Sequence, residues 1–299
     1  MPDSEDCTLG TCPLSMAYVE YQPSVPANAL FLGLFAAMIV GQIGLGFKFR
    51  TWSYMVPMLA GLVLEVLGYL GRIMVHNDPF SFDAFLLYLI CLTIAPAFFT
   101  AGIYLCLGRI VAVYGTEYSR LKPRTYTYIF VSCDIISLIL QAAGGAITSI
   151  ADDKPTSDMG INVMIAGLIF QVVSLAGFMV LTVEYGIRVR RGRRASVAPR
   201  PLRENWKHKA FLWGLATATV TIFVRSIFRV AELQGGFHSD LANNEVDLMI
   251  LESAMVSIAG ICLTVLHPAM LVGKKWKVKE WDSKSDESKN EALLGVENA

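Results

Sequence analysis

Charge is scarce in this chain. Charged side chains make up 17% of its 299 residues and hydrophobic ones 54%, where an ordinary soluble domain carries about a quarter charged residues. With a mean hydropathy of +0.51, that balance excludes a water-soluble globule. The 11% aromatic content excludes a disordered chain, since there is ample apolar surface to bury. Neither sign dominates: 25 Lys and Arg face 25 Asp and Glu, so no basic field points to nucleic acid as a partner. Lysine is missing from every long apolar run, which removes a Schiff-base site for retinal. No G-x-x-x-x-G-K-[ST] run offers a P-loop, and no G-x-S-x-G elbow offers a hydrolase nucleophile. His76, His208, His238 and His267 lack the short spacing of a zinc site, so no metal and no cofactor are expected. N-x-[ST] acceptors and internal repeats are absent too. The acidic first 28 residues have neither a basic n-region nor an apolar h-region, so no cleavable signal peptide is expected.

What the sequence does have is long greasy runs. A hydrocarbon core of about 30 Å needs roughly 20 apolar residues of helix. Seven windows qualify: Ala29–Phe47, Tyr54–Val75, Ala84–Val113, Tyr126–Ile150, Ile161–Val183, Ala210–Ala231 and Leu248–Val272. The expected fold is an all-α integral membrane protein, a seven-helix bundle over 29–272 with tails at 1–28 and 273–299. Lys and Arg accumulate on cytoplasmic loops, and here they follow the first, third, fifth and seventh windows. The densest stretch is Arg188–Lys209, and six lysines lie between Lys274 and Lys289. The other side holds Asp3, Glu5, Asp6, Glu20, Asp78, Asp152, Asp153, Asp158 and Asp240, with Lys154 as its one cation outside a helix. This asymmetry predicts the N-terminus outside and the C-terminus in the cytosol. The third window ends Gly108-Arg109-Ile110, without the acidic-Arg-aromatic triplet of rhodopsin-like receptors, and the seventh has no N-P-x-x-Y. An ordinary G-protein-coupled receptor is therefore a weak reading.

Cys91, Cys106, Cys133 and Cys262 fall within apolar windows, where a thiol packs as a small hydrophobe. Cys7 and Cys12 share the outer tail, where an oxidising compartment permits a disulfide; two free thiols are the alternative.

Ionisable residues inside the windows are the informative exceptions, because each costs about 2.5–3.5 kcal/mol at a helix centre on insertion scales. Glu65 and Arg72 lie seven apart on one face of the second window, with Gly61 and Gly68 along the same stripe. The fourth carries Asp134, Ser137, Gln141, Gly144 and Thr148, and the fifth Gln171 and Ser174. The sixth has an uncharged stretch of only 15 residues, Ala210–Val224, before Arg225, Arg229 and Glu232 form a single ridge. Glu245 and Glu252 of the seventh lie at comparable depth. Two accounts fit such a ridge: ion pairs that lock the bundle, or a hydrated groove that shelters a polar headgroup. Pro96 in the third window frees a backbone carbonyl, a device tolerated at cavities. An arginine pair suits phosphate or carboxylate, whereas Glu65 and Asp134 suit an amine.

At these residues the sequence resembles the fungal lipid-translocating exporter family, which groups aminocholesterol-resistance and sphingoid long-chain-base translocase-like seven-span proteins. The likeness runs in order along the chain. Tyr21-x-Pro23 with Asn28 opens it, followed by Glu65-Val66-Leu67-Gly68-Tyr69-Leu70-Gly71-Arg72, then Ala95-Pro96 with Ala101, Tyr104 and Arg109. Asp134 with Gln141, Gly144 and Gly145 continues it, then Gly167 with Gln171. Arg225-x-x-Phe228-Arg229-x-x-Glu232 and His267-Pro268 close it. The seventh window departs from the family pattern, with Asn244-Glu245, Met249 and Glu252 where His-Glu, Tyr and Asp are expected, and with Ala269 for Gly.

The resemblance implies a non-enzymatic multi-pass protein, usually of the plasma membrane, that moves amphipathic lipids such as sphingoid bases or phospholipids and contributes to tolerance of toxic lipids or drugs. The residues expected to meet substrate are Glu65, Tyr69, Arg72, Asp134, Gln141, Gln171, Arg225, Arg229, Glu232, Glu245 and Glu252. A lipid or sterol sensor without transport of its own is the alternative. An intramembrane enzyme would rest only on Asp134 and Glu65 as acid and base. Oligomeric state is not legible.

Overall fold

A computed structural model describes residues 17, 19, 21–114, 119–151, 153–191, 206–234 and 245–268. Cys7, Cys12, His238, the basic run after Val272, the C-terminal tail and the N-terminal tail up to residue 20, apart from Ala17 and Val19, lie outside the described residues.

Proline marks where helices can begin. Pro26 sits in the first turn of α1 (Val25–Phe49) and Pro123 opens α4 (Pro123–Ser149), positions where a missing N–H leaves nothing unpaired. Helix α1 ends on Arg50 in the left-handed conformation (φ 55°), whose N–H returns to the Gly46 carbonyl. Only Thr51 then separates it from α2 (Trp52–Asn77). Helices α3 (Phe82–Tyr114), α5 (Lys154–Arg191) and α6 (Trp206–Gln234) follow the order of the apolar windows. The seventh span, α7 (Glu245–Val265), is α-helical at both ends and π-helical over Met249–Ala254.

Seven helices are long and apolar enough to cross a membrane, and no strand occurs among the described residues. The protein is a multi-pass membrane protein. Two windows differ from the helices that form. Helix α5 has 38 residues, about 57 Å of helix, and so runs beyond any hydrocarbon slab into its basic end Arg188–Arg191. Helix α7 ends at Val265, short of the expected Val272. The reason is local: Pro268 disfavours the helical conformation at His267 before it.

Consecutive helices pack side by side, α7 returns to α1, and α3 also touches α6 and α7. The main core is built on Phe35, Tyr54, Tyr69, Phe99, Tyr104 and Phe178, with smaller clusters around Val75 and Phe85 and around Met164 and Leu233. Outward faces remain greasy, with Val40, Val56, Ile139, Val173 and Val180 each more than 60% exposed, as a lipid solvent requires. Close approach comes from glycine at the α4–α5 seam, where Gly144 lies directly against the Gly160 carbonyl and the Met164 backbone.

His267 is fully buried beyond the end of α7, 3.4 Å from the Thr51 hydroxyl and enclosed by the Phe49 and Tyr54 rings. Burial pushes its pKa down from 6.5 to about 4, so the folded protein holds a neutral ring. The stabilisation this ring provides is complete above pH 6.5 and is lost as pH falls through about 4. Melting curves in detergent at about pH 7 and about pH 5 should show a lower midpoint at the acid value, and His267→Phe should shrink that difference. An unchanged difference in the variant would remove the assignment.

Candidate functional site

Pro96 has no N–H, so the Leu92 carbonyl one turn back on α3 is released from the helix ladder. Arg225 of α6 takes it: Nη2 donates to Leu92 O at 2.6 Å and to Glu252 Oε1 at 2.9 Å. The next residue of α3, Thr93, accepts from Arg229 Nη2 at 3.0 Å. Arg229 Nη1 meanwhile donates to Glu232 Oε2 at 2.8 Å, and its Nε lies 3.8 Å from Glu252 Oε1. Glu252 sits inside the π-helical turn of α7, a departure from regular helix that recurs at functional sites. One carboxylate therefore serves two arginines, one helical turn apart, at the junction of α3, α6 and α7.

All of this is dry. Arg225 and Glu252 are each 2% exposed and Arg229 8%. Burying ions on this scale is tolerable only if Coulomb attraction and hydrogen bonds offset lost hydration, and here they do so incompletely. The Nε atoms of Arg225 and Arg229 and the Tyr69 hydroxyl are buried without a hydrogen-bond partner among the described residues. Glu65, also buried, has Arg225 and Glu252 as its charged neighbours yet makes no ion pair within 4.0 Å among the described residues. Unmet donors next to an acid without an ion pair mark a buried polar network that is incompletely satisfied.

Arg72 forms the second arm. Its Nε donates to Asn28 Oδ1 at 2.9 Å and its Nη2 to the Tyr21 hydroxyl at 3.0 Å, and it lies 5.5 Å from the centre of the Tyr88 ring. Among the described residues no carboxylate is within ion-pair distance of it. Burial pushes the Tyr21 phenol pKa up, against the opposing pull of the Arg72 guanidinium, so the hydroxyl stays neutral and accepts. The segment before α1 is pinned across the same end of the bundle. His76 Nδ1 bonds the Pro23 carbonyl at 2.7 Å, Gln22 donates to the His76 carbonyl, and Ser24 N donates to Glu245 Oε1 at 2.6 Å. Glu245 thus anchors backbone rather than an arginine. Tyr21 and Asn28 were legible only as part of a family pattern; Leu92, Thr93 and Tyr88 carried no signal of their own.

Apart from Glu245, which holds the Ser24 N–H, the expected substrate set divides in two. Glu65, Tyr69, Arg72, Arg225, Arg229, Glu232 and Glu252 come together. Asp134, Gln141 and Gln171 do not join them: Asp134 Oδ2 accepts from Thr100 at 2.8 Å, and Gln141 Nε2 donates to Gln171 Oε1 at 3.2 Å. No hydrogen bond or ion pair links these three to an arginine among the described residues. The cause is helix order, since α4 packs chiefly on α3 and α5, and α5 on α4 and α6, so that neither packs chiefly on α7.

The family model described as RTA1 like protein matches residues 58–275, well over half of the chain. The chain belongs to the RTA1-like family. Family relatives in Saccharomyces cerevisiae include the Sphingoid long-chain base transporter RSB1, 34% identical over 73% of this chain. Protein RTM1 is 28% identical over 72% of this chain and 67% of its own length. This RTA1-like chain spans 65% of the length of the RSB1 transporter. A solved thermophilic rhodopsin superposes at TM-score 0.40 with 11% identity, over 84% of this chain and 97% of that one, a likeness too loose to carry an argument.

Proposed function

We propose that this RTA1-like protein moves amphipathic lipids, of the sphingoid-base or phospholipid kind, across the plasma membrane and thereby contributes to lipid asymmetry and tolerance of toxic lipids or drugs. The observation that carries the reading is the convergence of buried Arg225 and Arg229 on a single Glu252 with neither Nε atom hydrogen-bonded among the described residues. A lipid headgroup leaving water needs groups that replace its hydration while its tail stays in hydrocarbon. Arginine forks supply this for phosphate and hydroxyl oxygens. The name of the RSB1 relative supports a sphingoid base as cargo. The one-sided distribution of Lys and Arg supports an external N-terminus, with 1–28 outside, the bundle over 29–272 and 273–299 in the cytosol. In this orientation the arginine cluster lies toward the outer leaflet. No energy-coupling motif is present, so movement is downhill or driven by an ion gradient.

Reconstituted vesicles test the proposal. Arg229→Gln keeps a neutral donor but removes the charge shared with Glu232 and Glu252, and transfer of fluorescent long-chain base or phospholipid should fall about tenfold or more. Unchanged transfer by folded Arg229→Gln protein would end the proposal. A wild type that binds lipid and transfers none would favour the sensor reading instead.

A further inference from the structure

Asp134 lies one helical turn above an aromatic floor. Tyr104, Phe130 and Phe178, from α3, α4 and α5, meet with ring centres 4.6–5.5 Å apart. Each is followed one turn toward the other membrane face by a small polar residue on the same stripe: Thr100, Asp134 and Ser174. A further turn or two along α4 and α5, the Gln141–Gln171 pair closes the layer. Four oxygens of this stack are buried without a partner among the described residues: Asp134 Oδ1, Gln141 Oε1, Ser174 Oγ and the Tyr104 hydroxyl. Tyr104 is fully buried, and its hydroxyl lies beside the Asp134 carboxyl without hydrogen-bond geometry. A buried carboxyl bonded on one oxygen only, beside the Tyr104 hydroxyl and with no ion pair among the described residues, is incomplete by the ordinary rule for buried polar groups.

The chemistry of the missing group follows from the donor count. An unmet carboxylate oxygen with a hydroxyl beside it, over aromatic faces, matches a primary ammonium, which offers three donors and a positive charge. They do not match phosphate, which the arginine cluster suits. Access is lateral. Ser174 is only half-buried, and its neighbour Val173 with Ile139 faces lipid at 62% and 61% exposure, so an alkyl chain attached to the nitrogen can remain in hydrocarbon. We infer that the Asp134 layer between α3, α4 and α5 is a second binding site, selective for the primary ammonium of an alkylamine-type lipid. This deepens the reading of the protein as a lipid mover, assigning amine recognition to Asp134 and headgroup oxygens to the arginines.

Equilibrium binding of dodecylamine to the purified full chain in nanodiscs tests it, with N-acetyldodecylamine and sodium chloride as the other probes. Wild type should bind the amine about tenfold or more tighter than its neutral acetyl derivative. Asp134→Asn, which keeps an acceptor for Thr100, should remove that preference. Ser174→Ala should weaken amine binding about threefold, a readout that holds even where the Asp134 variant folds poorly. Equal binding of amine and amide by wild type, or an undiminished preference in folded Asp134→Asn protein, overturns the inference. Displacement of the amine by sodium at comparable concentration would make this an inorganic cation site and overturn the amine assignment. Binding is read here without any transfer step. Lost transfer with intact amine selectivity therefore counts against lipid movement alone, and intact transfer without selectivity counts against this site alone.

Discussion

Glu252→Ala should sharply lower the yield of folded protein. The Glu252 side chain is 3% exposed and is the shared counter-ion of Arg225 at 2.9 Å and Arg229 at 3.8 Å. Removing it strands two buried guanidinium groups with Glu232, which pairs only with Arg229, and Glu65, which neighbours Arg225 without an ion pair within 4.0 Å. Breaking a buried pair from one side costs about 3–5 kcal/mol, because the orphaned charge keeps its desolvation penalty. Against a total stability of roughly 5–15 kcal/mol, that removes a large part of the margin that keeps the native state populated. The check is the monodisperse peak of a detergent-solubilised fluorescent fusion. Glu252→Gln, which retains an acceptor, should fall between wild type and alanine. The double variant Glu252→Ala with Arg225→Leu should recover part of the alanine loss, because the unpaired charge goes with its partner. No recovery in the double variant would mean that Glu252 acts on stability by some route other than neutralising Arg225.

Gly144→Ala should destabilise strongly while Gly145→Ala beside it does not. A methyl at 144 would sit 2.6 Å from both the Gly160 carbonyl and the Met164 nitrogen, which are backbone atoms and cannot swing aside. Helices α4 and α5 would have to separate along their longest seam, an overpacking penalty of about 1–3 kcal/mol. At 145 the nearest atom is the Met164 sulfur at 3.9 Å, ordinary contact, and alanine there gains up to about 1 kcal/mol of helix propensity. Thermal midpoints of the two variants in the same detergent should move in opposite directions. A common shift would show that the seam relaxes freely.

The two halves of the expected site show where sequence reasoning stops. Arg225, Arg229 and Glu232 were legible as a ridge, because helical spacing alone puts i, i+4 and i+7 on one face. Glu252 was legible only as an acid at similar depth. Its role as the shared partner depends on a π-helical turn that no residue type announces. Asp134 looked like part of the same polar set, since depth and charge are one-dimensional properties and it shares both. The bundle's order around its ring placed it on α3 and α5 instead.

Composition and spacing by themselves determined that the chain is a seven-span helical membrane protein. An apolar run long enough to cross hydrocarbon has no other way to satisfy its backbone, and buried charges must turn inward from lipid. They determined equally that Pro96 would release a carbonyl. Which group would receive it, which acid would hold which arginine, and that Asp134 would stand apart were decided by the packing of helices distant in the chain. Those pairings are contacts between residues such as Leu92 and Arg225, 133 positions apart, and nothing local to either end encodes the other.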